Sequence, residues 1–137
     1  MELGEGTQLG PYRLTARLGA GGMGEVFLAT DSRLGRSVAL KVMSPEVTEN
    51  PSMRGRFEKE ARAIAALSHP NICALFDIGS EGGVSFMVME YLEGRTLAER
   101  VIEGPLPVEE AVPLIDGLCD ALAAAHERNI VHRDLKP

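Results

Sequence analysis

Four short stretches of the chain carry residues whose types and spacing could do chemistry. The first is the glycine run Gly19-Ala20-Gly21-Gly22-Met23-Gly24. Glycines let backbone N–H groups approach anionic oxygens with no Cβ in the way, so such a run can cradle a phosphate or simply turn a hairpin. A dinucleotide-binding fold needs a helix directly after the glycines, whereas Glu25-Val26-Phe27-Leu28-Ala29-Thr30 is strand-like. A P-loop ends in Gly-Lys-Ser/Thr, and Gly24-Glu25-Val26 does not match. What remains is a glycine loop between two antiparallel strands. The second candidate is Lys41, inside Val38-Ala39-Leu40-Lys41-Val42-Met43. A period of two puts Ala39, Lys41 and Met43 on one face and Val38, Leu40 and Val42 on the other. A lysine so flanked needs an anion or an exit to water. The third is Glu60, three residues after Phe57 and four before Ile64, at the edge of an apolar helical stripe. A carboxylate there needs a partner or must reach solvent. A strand lysine and a helix glutamate with that shared need suggest each other. The fourth is Val131-His132-Arg133-Asp134-Leu135-Lys136-Pro137, a crowd of charges that follows a helix ending near Asn129.

The elements that must position these residues follow from pattern. Strands are expected over Tyr12–Leu18, Glu25–Thr30 and Ser37–Met43, joined by the glycine cluster and a turn at Asp31–Gly35. Phe57, Ala61, Ile64 and Ala65 predict an amphipathic helix over 52–67, stopped by Ser68-His69-Pro70. Two more strands follow, Ile72–Ile78 and Val84–Tyr91. Thr96-Leu97-Ala98-Glu99 matches a capping box. Val108, Val112, Ile115, Leu118 and Leu122 mark a longer helix from Pro107 to Arg128, in which Pro113 predicts a kink or a late start. The order makes an α+β fold, an antiparallel sheet followed by a helical part.

Composition narrows the functions. The 137 residues carry 14 Lys+Arg against 20 Asp+Glu, a net charge of −6, which disfavours nucleic acid or anionic lipid as a partner. Six aromatics, all within the first 91 residues, weaken a base-stacking role. A hydrophobic content of 45% is that of a folded domain. Cys73 and Cys119 lie in apolar surroundings and read as buried, reduced thiols. Met1–Gly10 is acidic and Gly-rich, with no secretory pattern, and no apolar run nears the roughly 20 residues of a membrane span. A soluble, cytoplasmic chain is the expectation.

Taken together and in order, the four sites resemble the eukaryotic-like protein kinase family, and the wording of the glycine loop is most similar to the bacterial serine/threonine kinases. Gly19 to Val26 fills G-x-G-x-x-G-x-V, and Val38-Ala39-Leu40-Lys41 is V-A-I-K with Leu for Ile. Glu60 falls where the glutamate of the family's αC helix should lie, and His132-Arg133-Asp134-Leu135-Lys136-Pro137 opens the catalytic loop. The resemblance implies an N-terminal tail over 1–10, a small lobe over 11–91 and the hinge and start of a large lobe over 92–137. The small lobe would be a five-stranded antiparallel sheet with the 52–67 helix as αC. It further implies ATP and Mg as cofactors, with protein Ser/Thr hydroxyls as substrate. Leu18, Gly19, Ala20, Gly21, Gly22, Met23 and Gly24 would belong to the nucleotide site, with the backbone N–H groups of Gly21, Gly22 and Met23 covering the phosphates. Lys41 would contact the α- and β-phosphates, held by an ion pair with Glu60 when the helix is swung in. Val26 and Ala39 would roof the adenine, Met89 would be the gatekeeper, and Glu90 and Leu92 would offer hinge hydrogen bonds. Ile64, Leu75 and His132 match positions of the family's regulatory spine. Asp134 would accept or orient the substrate hydroxyl's proton, Lys136 would steady the γ-phosphate, and Arg133 would pair with an activation-loop phosphate. Dimerisation through the small lobe is one partner arrangement the family allows.

The pattern breaks off at Pro137. The family's metal ligands, an Asn five residues after Asp134 and an Asp-Phe-Gly further on, would both fall later, so no metal ligand is assigned within the chain. The sequence therefore reads as a fragment of a kinase domain, inactive by itself. The alternative is a catalytically silent module that binds nucleotide or a partner kinase. The presence of Lys41, Glu60 and Asp134 together favours the enzyme.

Overall fold

The structure is a computed structural model, and it describes residues 3–21, 24–131 and 135. The chain separates into two compact units. The first takes the chain up to Ala66 together with Ala74–Tyr91, and the second takes Leu67–Cys73 with the chain from Leu92 onward.

The first unit is an antiparallel sheet with two helices. Its strands are β1 (Gln8–Leu9), β2 (Tyr12–Gly21), β3 (Gly24–Asp31), β4 (Arg36–Met43), β5 (Leu75–Glu81) and β6 (Val84–Glu90), in the order β1-β2-β3-β4-β6-β5. Five of these answer to the expected sheet. The sixth, β1, is a two-residue edge strand in the segment expected to be a tail; it pairs Leu9 with Tyr12. The alternation of apolar residues sets the faces. Tyr12, Leu14, Phe27, Ala29, Val38, Leu40, Val42, Phe86 and Val88 enclose the core. The sheet curls, so that strands far apart in its order meet. The Tyr12 hydroxyl on β2 donates to Asp77 Oδ2 on β5 at 2.8 Å, and Arg33 Nη2 donates to the same hydroxyl at 3.1 Å. Burial, and then the hydrogen bond to the Asp77 carboxylate, push the Tyr12 phenol up to about 12. Tyr12 also meets Phe86 edge-on, with ring centroids 6.1 Å apart. At the β3–β4 turn, buried Asp31 accepts from the N–H groups of Arg33 (2.9 Å) and Leu34 (3.3 Å), the local bonding that makes Asp a turn former.

Just past the expected third strand, Pro45 opens a one-turn helix α1 (Pro45–Glu49). Helix α2 (Pro51–Ala65) follows at once. The Asn50 side chain caps it, accepting from the N–H groups of Ser52 (3.0 Å) and Met53 (3.3 Å), and Pro51 fits the first turn, where no N–H is required.

The second unit is helical. Thr96 Oγ1 accepts from Glu99 N (3.1 Å) and starts α3 (Leu97–Val101). Helix α4 (Val108–Glu127) begins directly after Pro107 and runs through Pro113, so the late start expected there does not occur. A bidentate pair, Arg100 Nε and Nη2 to the Glu110 carboxylate at 3.1 and 2.9 Å, ties α3 to α4. Asn71 Nδ2 donates to the Gly117 carbonyl at 3.2 Å, and a Cβ at Gly117 would press on that amide. The end of α4 is a Schellman turn: Asn129 takes φ 60°, Ile130 N donates to Ala125 O (3.0 Å) and Asn129 N to His126 O (2.9 Å). Neither cysteine is in a disulfide, but both are exposed, not buried as expected. Cys119 sits two residues from Gly117, about 200° around the helix from the edge that Asn71 touches, so apolar neighbours in sequence do not cover it. Among the described residues no helix is long and apolar enough to cross a membrane.

Candidate functional site

Residues directly opposite each other in a sheet share a face, so register decides which candidates meet. Gly19 pairs with Val26 and Val26 with Lys41, while Leu28 pairs with Ala39 and Ala39 with Met89. Gly21 pairs with Gly24, and Gly24 with Met43. The residues expected to hold nucleotide (Gly19, Gly21, Gly24, Val26, Ala39, Lys41 and Met89) therefore occupy one face, and the core lies behind the other. The strand has the two faces expected, with Val38, Leu40 and Val42 in the core, while Ala39 and Met43 on the face of Lys41 are buried as well.

The three described glycines of the loop are glycines for different reasons. At Gly24 the cause is internal. Its φ is 150°, and an added Cβ would stand 1.9 Å from the Val42 carbonyl oxygen. At Gly19 and Gly21 an added Cβ would meet nothing within 4 Å, and neither has positive φ. Among the described residues nothing requires their lack of a side chain, which leaves open space on the face that carries Lys41. Between Arg17 and Gly19 the register shifts, and Leu18 is the extra residue of the bulge, 47% exposed. Bulges re-aim side chains beside functional sites. Ala20 is exposed on the same strand and pairs with Glu25. Gly22 and Met23 lie outside the described residues.

Lys41 is half-buried, and among the described residues no carboxylate forms an ion pair with it. The expected pair with Glu60 is not formed. The Glu60 carboxylate lies 3.7 Å from Arg56 Nε, one turn back on α2, and the Glu60 side chain is 69% exposed. The reason is the azimuth of the helix. Helix α2 packs against β5 and α1, with Ala61 its buried residue and Phe57 half-buried. Glu60 is one residue, about 100°, from Ala61 and so turns toward solvent. Ile64 is exposed as well, while Leu75 pairs in register with Met89. A shallow opening of about 230 Å³ between α2 and β5–β6, lined by Phe57, Arg62, Ile78 and Ser85 among others, contains none of the expected site residues.

Glu90 ends β6. Its N–H donates to the Ala74 carbonyl (2.9 Å), and its carboxylate accepts from Ala74 N (3.2 Å), so backbone and side chain both tie the strand end to Ala74. Leu92 is exposed and belongs to the second unit. The α4 Schellman turn sets the direction of the chain at Val131. His132, Arg133, Asp134 and Lys136 lie outside the described residues. The sequence reading missed Met87, which pairs with Lys41 and shares its face. Counting back by two from Met89 would have found it.

The open glycine positions, the small Ala39 and the unpaired Lys41 on one face fit a nucleotide with anionic phosphates. Among the described residues no group of three or more His, Cys, Asp or Glu side chains is placed to hold a metal ion.

Comparison with known proteins agrees with this geometry. The protein kinase domain family matches residues 12–137. The serine/threonine-protein kinase pkn2 of Myxococcus xanthus is 42% identical over 128 residues, which are 93% of this chain and 15% of that protein. PknB of Mycobacterium leprae is 44% identical over 131 residues, 92% of this chain and 21% of its own length. PrkC of Bacillus subtilis is 40% identical over 129 residues, covering 93% of this chain and 20% of the relative. The crystal structure of the Mycobacterium tuberculosis PknI kinase domain superimposes with a TM-score of 0.85 at 32% identity, over 99% of this chain and 56% of that one. The chain thus belongs to the protein kinase family, on the serine/threonine side where its bacterial relatives lie, and it spans about a fifth or less of the length of those curated relatives.

Proposed function

We propose that this chain provides the ATP-binding half, and the opening of the catalytic loop, of a cytoplasmic kinase that phosphorylates protein Ser/Thr hydroxyls. The observation that carries the reading is the single face holding Lys41, Ala39, Val26 and Met89 beside two glycines that no contact among the described residues requires. Bound ATP supplies the phosphoryl group to be transferred. The chain's own residues bind and orient. Gly19–Gly24 offers backbone N–H groups to phosphate oxygens, Lys41 places a positive charge beside them, and Val26 and Ala39 give the base an apolar roof. Met89 limits the depth behind that roof, while Glu90 and Leu92 present backbone groups to the base edge. Glu60 steadies Lys41 only once α2 has turned from the azimuth described above. Asp134 takes or orients the hydroxyl proton of the substrate, and Lys136 screens the charge that builds on the transferred group.

The test is a pair of substitutions in a chain carrying the complete kinase domain. Asp134→Asn should lower phosphotransfer about 10²–10⁴-fold and leave ATP affinity in place, because the nucleotide is held by other residues. Lys41→Met should abolish turnover by misplacing the phosphates. Unchanged turnover with Asp134→Asn removes Asp134 from the chemistry. ATP binding with no phosphotransfer even in the unsubstituted chain establishes the silent module instead.

A further inference from the structure

One ion pair flanks the glycine loop without facing the nucleotide side. Arg17 Nε lies 3.3 Å from Glu25 Oε2, with the two side chains 59% and 45% exposed. Arg17 is on β2 directly opposite Phe27, and Glu25 is two residues before Phe27 on β3. Both therefore project on the face of Phe27, the reverse of the face that carries Gly19, Val26 and Lys41. The pair crosses the hairpin diagonally, just where the register shifts between Arg17 and Gly19. A bulge leaves an extra residue outside the ladder and bends its strand, so the ladder alone holds the hairpin less firmly there, as it does at the other shift, between Leu14 and Ala16. The loop beyond it has an internal anchor at one end, where Gly24 is pressed against Val42, and open space at Gly19 and Gly21 on the other.

We propose that Arg17 and Glu25 are positioning residues for nucleotide binding, an electrostatic brace on the back of the glycine hairpin. The pair fixes β2 against β3 across the Leu18 bulge and thereby sets the pitch at which Gly19 and Gly21 meet the phosphates. It touches neither the nucleotide nor any reacting atom, and its action is carried by the backbone. This rests on the nucleotide reading proposed above.

The experiment measures the dissociation constant for ATP of the full chain by calorimetry, for wild type, Arg17→Glu, Glu25→Arg and the double charge swap, at low and high salt. Amide hydrogen exchange over residues 12–31 is followed in the same proteins without ligand. Each single substitution should weaken ATP binding about two- to five-fold, the range open to an exposed ion pair. The double swap should restore affinity. Roughly 1 M salt should erase the difference between wild type and the singles, because exposed charges are screened at that ionic strength. Exchange near Leu18 should quicken in the singles and slow again in the swap. Unaltered ATP affinity in the singles, or a swap that fails to rescue, overturns the proposal. Faster exchange with unaltered affinity also overturns it, since the pair would then be structural only. A wild-type chain that binds no ATP overturns the nucleotide reading and this proposal with it. A wild type that binds ATP equally with its singles overturns the brace alone.

Discussion

Alanine at Gly24 and alanine at Gly21 should have opposite consequences, although the two residues are partners in the same ladder and look alike in sequence. At Gly24 the new Cβ would stand 1.9 Å from the Val42 carbonyl oxygen, where ordinary contact begins near 3.4 Å. The obstructing atom is backbone and cannot rotate away, so β3 and β4 must part at this end. That loosens the pairs Gly24–Met43 and Glu25–Val42. Two ladder hydrogen bonds at about 0.5–1.5 kcal/mol each, with about 1–2 kcal/mol for a side chain forced to positive φ, give a loss of about 2–5 kcal/mol. A domain with a total stability of about 5–15 kcal/mol would notice it. At Gly21 there is nothing within 4 Å and no positive φ, so the stability change should stay within about 0.5 kcal/mol. That methyl group would instead project into the space proposed for phosphate. Urea denaturation separates the two: Gly24→Ala should lower the midpoint by about 1–2 M and Gly21→Ala should leave it unmoved. ATP titration should show the Gly21 variant weakened despite its intact fold. Equal midpoints for the two variants would refute the assignment of one glycine to packing and the other to ligand.

Further outcomes follow from contacts elsewhere in the sheet and helices. Asn50→Ala removes the acceptor for the Ser52 and Met53 N–H groups and should cost about 1 kcal/mol, with faster amide exchange in the first turn of α2, while Asn50→Asp keeps the cap. Tyr12→Phe loses the bond to Asp77 and should cost about 0.5–1.5 kcal/mol in thermal or urea unfolding. The phenol holds its proton more tightly folded, at about 12, than its ordinary value of 10.0. Its contribution is therefore complete below about pH 10 and is lost as pH rises through about 12, a decline that Tyr12→Phe should lack when stability is followed against pH.

Much of this arrangement was legible from residue order because strands announce their faces. The alternation Val38-Ala39-Leu40-Lys41-Val42 put Ala39 and Lys41 on one face and Val38, Leu40 and Val42 on the other, and the structure shows which of the two faces the core. Turn chemistry was equally local: Asp31 accepts from the N–H groups of Arg33 and Leu34, and Asn129 closes the end of α4 two residues before the charge-rich stretch that starts at Val131. What was not legible depends on pairing across distance. Leu18 becomes a bulge residue only through the register of β2 against β3, and Tyr12 meets Asp77 only because the sheet curls until β2 and β5 touch. Sequence spacing holds no record of a contact 65 residues apart. The late start expected at Pro113 is absent for a related reason. The proline penalty is a local term, but a helix whose first turn is already favoured by Glu109 and Glu110 can lose one N–H bond and continue.

Glu60 shows where periodicity stops being informative. A helix is held at one azimuth when a wide apolar stripe must be buried, and each step of about 100° off that azimuth then exposes large side chains. Helix α2 has no such stripe. Its one buried residue is Ala61, Phe57 is half-covered, and Ile64 and Met53 stay exposed. Turning such a helix moves little apolar area into or out of water, so charge contacts can decide its orientation. Here the i, i+4 pair of Arg56 with Glu60 takes up the carboxylate that Lys41 was expected to receive. An exposed pair of that kind is worth only about 0.3–0.5 kcal/mol, a small bias against the charge-assisted bond that a half-buried lysine beside phosphates could offer the same glutamate. The residue types that made Lys41 and Glu60 suggest each other are therefore sound as chemistry. The thin stripe of α2 would leave a Lys41–Glu60 pair to be decided by a ligand on the Lys41 face.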